Sequence, residues 1–251
     1  MEDLKDFEDQ QMSSFDSMDG SPDYSAFDIR TIEVDTVSKK MESLTKTQCC
    51  KCITLTCLIS ALNHIFRETD PNDWPTRREL IQDVLKNTYL DEKEFLKYVF
   101  VDTDIPYTRN LVFSDGRNFS LILICWNPNK ESKIHDHPCD GCFVKTLRGG
   151  VKESRYHMEE VEENGEKTKV MKFDFETVTS ANEVNYMDNY LGYHKIGCAT
   201  EELAITLHLY TPPFKTCRVW PNPADCQQEV EVKMVYYSEL GVRTPEPDEK
   251  K

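Results

Sequence analysis

The period of the hydrophobic pattern changes along the chain. Between residues 54 and 66 apolar side chains recur at Leu55, Leu58, Ile59, Leu62, Ile65 and Phe66, a spacing that lays one stripe along a helix. A second helix is predicted from near Thr76, where Thr76-Arg-Arg-Glu79 matches a capping box behind Pro75 and Leu80, Ile81, Val84 and Leu85 supply the buried side. A third, short helix is predicted from Asp91, with Glu94 at the capping-box position. After Tyr98 the period falls to two. Strands are expected at 119–126, 142–147, 151–157, 170–175, 203–210 and 230–237, separated by the turn residues Ser114-Asp-Gly116, Arg148-Gly-Gly150, Asn164-Gly165 and Asn222-Pro223. Short strands at regular intervals, with no helices between them, predict a mainly β sandwich or barrel behind a small helical segment.

Residues 1–45 have no such pattern. They are rich in Asp, Glu, Ser and Met and are expected to form a disordered acidic extension, with no core to offset the entropy of ordering. The patch Tyr24-Ser-Ala-Phe-Asp-Ile-Arg30 inside it reads as solvated chain, a partner-binding motif being the alternative. Residues 46–251 then form the folded part, with helices over about 54–100 and a barrel over about 101–240.

A formal charge of −15 and the absence of a basic stripe argue against nucleic acid as a partner. No apolar run approaches the roughly 20 residues that span a bilayer, and Met1-Glu2-Asp3-Leu4-Lys5-Asp6 has neither the basic nor the apolar region of a signal peptide. A soluble, cytoplasmic protein without a membrane partner is expected. Most of the ten cysteines are then expected to be free thiols, a metal or palmitoylation site at Cys49, Cys50 and Cys52 being the alternative there. Cys125 reads as a buried small hydrophobe. Cys49, Cys50 and Cys52 lie beside an apolar stretch, but no second pair at zinc-finger spacing follows them. His64 borders the first helix's stripe as a surface histidine, and the charge run over 159–166 reads as a solvated hairpin tip.

The candidate chemistry starts at His135-Asp136-His137. On a strand, two histidines one residue apart share a face with Cα atoms roughly 6.5 Å apart, so both imidazoles can reach one metal while Asp136 points away. His194, in Gly192-Tyr193-His194, is the best third donor. The strand at 203–210 alternates, with Leu203, Ile205, Leu207 and Leu209 on one face and Thr206, His208 and Tyr210 on the other. That polar face either meets solvent or lines a pocket, and beside the His-x-His strand the pocket is the better reading. Three neutral imidazoles would leave a dipositive metal open positions and uncompensated charge, which suits an anionic thiolate. Ligand types alone do not separate iron from zinc.

The block from His135 resembles the first cupin motif: His-x-His, four residues, an acidic ligand, six residues and a glycine. Here Cys142 stands at the acidic position and Gly149 closes the motif. Together with Tyr107-Thr-Arg109-Asn-Leu, the Leu-His-Leu-Tyr-Thr-Pro-Pro-Phe block at 207–214 and Gly241-Val-Arg-Thr-Pro245, it makes the stretch from about Thr54 to Pro245 resemble animal-type cysteine dioxygenases. The resemblance implies a cupin, a double-stranded β-helix or jelly-roll barrel, that binds Fe(2+) through His135, His137 and His194. It implies addition of both atoms of O2 to the sulfur of free L-cysteine, giving the sulfinic acid, in cysteine catabolism.

The same resemblance places recognition of the substrate carboxylate on Arg109, with Tyr107 on the same face, and a thioether between Cys142 and Tyr210. His208 would hydrogen-bond the Tyr210 hydroxyl, and the protein would be a monomer. Arg109 suits its task independently, because a guanidinium forks onto a carboxylate; a surface arginine on an edge strand is the bland alternative. Rival functions are a dioxygenase for another small thiol, such as 3-mercaptopropionate or cysteamine, and a non-catalytic metal-binding cupin. Departures from the family pattern are Asn129 for the glycine that opens the motif, Tyr190 for a proline, Thr206 for a serine, the extra thiol Cys139, and an acidic segment before residue 45 without a counterpart in the family core.

Overall fold

The computed structural model describes residues 54–163 and 166–245. The chain divides into two units, Met1–Lys46 and Thr47–Lys251, and every described residue belongs to the second. The expectations for the acidic extension, its Tyr24 patch, the cysteines at 49, 50 and 52, and the Asn164-Gly165 turn fall outside the described residues.

Helix α1 (Leu55–Glu68) begins where the stripe predicts, with Thr54 Oγ1 accepting from Cys57 N at 3.2 Å. Helix α2 (Trp74–Lys86) starts earlier than predicted. Its cap is Asp73, whose carboxylate accepts from Thr76 N at 3.2 Å, so Thr76 sits inside the first turn. Pro75 suits that turn because its missing N–H has no helical partner to lose. Leu80, expected on the buried side, is 38% exposed. Ile81 and Leu85 are buried beside Arg77, whose guanidinium lies 5.0 Å from the Phe66 ring and donates to Thr69. Helix α3 (Glu92–Phe95) is capped by Asp91, but Glu94 does not close a capping box there. Its carboxylate accepts from Leu55 N at 3.2 Å and caps α1 instead. Among the described residues no helix is long and apolar enough to cross a membrane.

The strands, numbered in chain order, form two sheets. The first contains β1 (Tyr107–Ser114), β2 (Ser120–Trp126), β4 (Gly141–Arg148), β7 (Val184–Met187), β9 (Ala204–Thr211), β12 (Ser238–Glu239) and β13 (Val242–Arg243). Its order is β13-β12-β1-β2-β9-β4-β7. The second contains β3 (Ile134–His135), β5 (Gly150–Glu163), β6 (Glu166–Ser180), β8 (Tyr193–Cys198), β10 (Thr216–Trp220) and β11 (Val230–Lys233), in the order β11-β10-β3-β8-β5-β6. This two-sheet β architecture behind a helical segment is the jelly-roll expected of a cupin.

The strand pattern differs from expectation in length and in number. Strands β5 and β6 run to 14 and 15 residues, because their outer ends alternate charged side chains that pair across the hairpin, as Lys167 does with Glu160 at 2.8 Å. Hydrophobic alternation does not register such a ribbon. The expected strand at 230–237 stops at Lys233; β1, β3, β7, β8, β10, β12 and β13 are not among the expected strands, and β3, β12 and β13, of two residues each, are too short to print a period.

Strands β2 and β9 are buried along their whole length, each having strands on both sides. The outer side of the first sheet lies against the helices, where Phe66 of α1 stacks on Phe119 at 5.4 Å. The core lies between the sheets, with Ile124, Trp126 and Val144 from one against Val151, Ile196 and Cys198 from the other. Cys125 is buried, as expected. Asn129 has φ 57°, so it occupies the left-handed conformation for which a glycine would be the usual choice.

Candidate active site

The two sheets contribute different chemistry to the space between them. On the second sheet, His135 at the end of β3 and His194 in β8 are register partners. His137 lies beyond β3, so the same-face argument from strand geometry covers His135 alone. Two anchors turn His137 inward. Its backbone N–H donates to Asn189 Oδ1 at 2.8 Å, and Asp136 is drawn the other way, accepting from both the backbone N and the Nε of Arg218 at 2.7 Å. Asp136 is accordingly no ligand. Ligand atoms of His135, His137 and His194 all lie within 4.8 Å of one another.

The hydrogen bonds fix the ring tautomers. Burial pushes His135 down to about 4 and holds His137 and His194 well below the ordinary histidine range, so all three rings are neutral near pH 7. His135 Nδ1 meets the Lys133 carbonyl at 2.9 Å, and His194 Nδ1 meets Glu153 Oε1 at 2.7 Å. Both partners are acceptors, so each Nδ1 carries the ring proton and each Nε2 a lone pair. Those two lone pairs face each other across 3.2 Å, and both ring nitrogens of buried His137 have no partner. Repelling lone pairs beside unpartnered donors are what a metal cation would satisfy. Three neutral imidazoles fit a dipositive metal.

The first sheet faces this triad with the remaining sequence candidates. Cys142 on β4 and Tyr210 on β9 are direct register partners, so their side chains share one face. The Tyr210 ring lies 6.5 Å from that of His137. Its hydroxyl meets His208 Nδ1 at 3.3 Å, His208 Nε2 meets Thr206 Oγ1 at 2.9 Å, and Trp126 Nε1 donates to the same hydroxyl at 2.8 Å. Indole N–H only donates, so the Thr206 oxygen accepts from Trp126 and still has both its proton and a second lone pair to offer His208 Nε2. Where Thr206 gives its proton to Nε2, His208 Nδ1–H donates to the Tyr210 oxygen and the phenol's own proton is free for a further acceptor. Burial pushes His208 down to about 3 and holds both Cys142 and Tyr210 well above their ordinary ranges, keeping all three neutral.

Arg109 lies on β1, which is flanked by β12 and β2 and is not an edge. Its Nη2 donates to the Tyr107 hydroxyl at 2.8 Å, and the guanidinium sits 4.8 Å from the Tyr107 ring centre. That ring leans on Trp126 at 4.7 Å. Tyr107 packs against the core cluster that holds Cys142 and Tyr210, which brings the Arg109 guanidinium to the same side of the sheet.

All eight side chains singled out in the sequence converge here. Sequence reasoning missed Glu153, Arg155, Asn189 and Trp126. An inward-phased carboxylate in Val151-Lys-Glu153-Ser-Arg155 was the one available signal for the first two. His64 stays outside, bonded to Arg67. Cys139 is half-buried, bonds the Gly141 carbonyl and packs against the cluster that contains Cys142 and Tyr210.

Residues 32–222 match the family described as Cysteine dioxygenase type I. The chain belongs to that family. Cysteine dioxygenase type 1 of Danio rerio is 32% identical over 202 residues, covering 80% of this chain and 94% of that protein. The Homo sapiens protein of the same name is 31% identical over 201 residues, with the same coverages. The family match reaches back to residue 32, so the segment expected to lack a family counterpart before residue 45 has one in part. As a member of the cysteine dioxygenase family the chain is an oxidoreductase, and its histidine triad fits a metal cofactor.

Proposed function

We propose that this protein is an iron(II)-dependent dioxygenase that converts free L-cysteine and O2 to L-cysteine sulfinic acid, RSH + O2 → RSO2H. The observation that carries this reading is the facing pair of Nε2 lone pairs of His135 and His194, beside unpartnered His137 and across the core from Arg109. A metal held by the three histidines would favour the thiolate form of a bound thiol and supply the redox chemistry that O2 addition needs.

The chain's own groups do the rest. Arg109, preoriented by Tyr107, forks onto the substrate carboxylate and fixes where the sulfur lies relative to the triad. Thr206 and Trp126 hold His208 as the Nδ1–H tautomer, which holds the Tyr210 oxygen and leaves its proton free to meet charge that develops on the reacting oxygen or sulfur. The apolar side chains of β2, β4 and β9 keep water from the centre. The register pairing of Cys142 with Tyr210 supports a thioether between the sulfur and the phenol ring, formed with loss of two hydrogens. The cysteines among the described residues are all free, which supports a reducing, cytoplasmic setting, and the net charge of −15 supports a monomer.

Protein loaded anaerobically with Fe(II), then given L-cysteine and O2, should yield sulfinate by mass spectrometry, with the intact protein two hydrogens lighter after turnover. Cysteamine, lacking a carboxylate, and 3-mercaptopropionate, lacking an amine, should be oxidised less well. No sulfinate from fully metallated protein would refute the proposal.

A further inference from the structure

Cys142 stands where the cupin motif places an acidic ligand, and among the described residues no carboxylate joins the three histidines. Asp136, the nearest acid in sequence, is committed to Arg218. A carboxylate nonetheless lies directly behind the triad. Glu153 on β5 is 3% exposed, and Oε1 receives the His194 Nδ1–H at 2.7 Å and the Arg155 Nε–H at 3.0 Å, while Oε2 receives Asn185 Nδ2 at 3.1 Å. Arg155 is held in turn by the Tyr186 carbonyl at 2.6 Å. Strand β7 thus brackets the pair from one side and β8 from the other.

We infer that Glu153 is the positioning residue of the triad, supplying through His194 the negative charge that the cupin pattern otherwise places directly on the metal. A buried ion pair such as Glu153–Arg155 gives little net stability over an apolar pair of similar volume, so fold stability alone does not account for it. Its geometry does something an apolar pair cannot. The carboxylate fixes the ring proton on Nδ1, aims Nε2 at the centre and increases the basicity of that nitrogen. Moving the charge one residue back leaves the inner coordination neutral and keeps positions open for an anionic thiolate. Arg155 and Asn185 anchor both oxygens, so Glu153 does not swing forward to become a ligand itself.

The inference rests on the metal-binding part of the proposed function and not on the oxidation of cysteine. Co(II) titrated into the chelator-stripped full chain, without thiol, is the probe. Wild type should bind with a ligand-field spectrum of imidazole coordination and show an exchangeable, paramagnetically shifted Nδ1 proton from His194. Glu153→Gln keeps an acceptor and loses the charge. Its affinity should fall about tenfold and its absorption bands should move, with the shifted proton retained. Glu153→Leu removes both, and should lose about 100-fold in affinity together with the shifted proton. If Glu153→Leu does not fold, the isosteric Gln variant decides alone. Affinity within twofold of wild type and an unchanged spectrum in Glu153→Gln would overturn the inference, even if thermal stability fell. Wild-type protein that binds Co(II) in this way but makes no sulfinate with iron would refute the dioxygenase reading and support this one.

Discussion

Thr206→Val removes one hydroxyl at nearly constant shape, and the structure makes it a severe change. Thr206 is fully buried, and Trp126 and His208, which it joins, are each 2% exposed. Valine strands the indole N–H and His208 Nε2 away from water. Each stranded group costs about 1–3 kcal/mol, so the variant should lose about 2–6 kcal/mol of stability. Thr206→Ser keeps the hydroxyl and gives up one buried methyl, a loss of about 1 kcal/mol. The kinetic effect follows from the lost anchor. Without the Thr206 hydroxyl nothing holds His208 Nε2, so the imidazole and the Tyr210 hydroxyl it meets lose their orientation. Positioned proton donors contribute about 100-fold or more, and kcat should fall toward that figure. The KM for cysteine should change far less, because Tyr107 packs on Trp126 but neither it nor Arg109 hydrogen-bonds to this chain of groups. Urea unfolding and O2 uptake against cysteine concentration measure both effects. Thr206→Val with wild-type stability and kcat, or Thr206→Ser as impaired as Thr206→Val, would refute the assignment.

Three further outcomes are expected. Arg109→Lys keeps the charge and loses the fork, so KM for cysteine should rise about 10-fold to 100-fold, the equivalent of about 1.5–3 kcal/mol; an unchanged KM would remove Arg109 from the substrate site. Burial holds His135 at about 4 and His208 at about 3, so between pH 6.5 and 4 the unfolded chain takes up their protons and the folded chain does not. The stability they contribute is intact above 6.5 and declines as pH falls through that window, by about 2 kcal/mol for each group at pH 5. Urea midpoints of metal-free protein should therefore fall from pH 7 to pH 5, and a flat profile would contradict the burial argument. Gly192 has φ 96° and a Cβ there would lie 2.5 Å from the Tyr156 carbonyl, whereas Gly116, at φ 71°, has open space. Gly192→Ala should lose more than about 3 kcal/mol and Gly116→Ala about 1 kcal/mol; equal losses by thermal unfolding would show the close approach to be unimportant.

Local periodicity made much of this protein legible in one dimension. The stripe of α1 and the shared face of Thr206, His208 and Tyr210 follow from spacings of two to four residues, whereas His137, beyond the end of β3, joins His135 through contacts distant in sequence. Capping was less legible, because a capping box is judged within one turn. Glu94 was claimed instead by Leu55, 39 residues away, and Asp73 reached Thr76 first.

Alternation along β9 separates two faces but does not say what each one meets. Both are buried, and the packing of the second sheet against the first puts Tyr210 of the polar face beside the triad. The same holds for Arg109: β1 reads as an edge until β12, more than 120 residues later in the chain, pairs with it. Glu153 meets His194 across 41 residues, and His135 meets His194 across 59. The amino-acid sequence by itself determined which side chains share a strand face and which donor types are available, because those depend on neighbours within a turn or a pleat. Tertiary structure alone decided which face meets the triad, which carboxylate stands behind His194 and where the lone pairs converge, because strand order brings together groups whose separation along the chain carries no periodic signal.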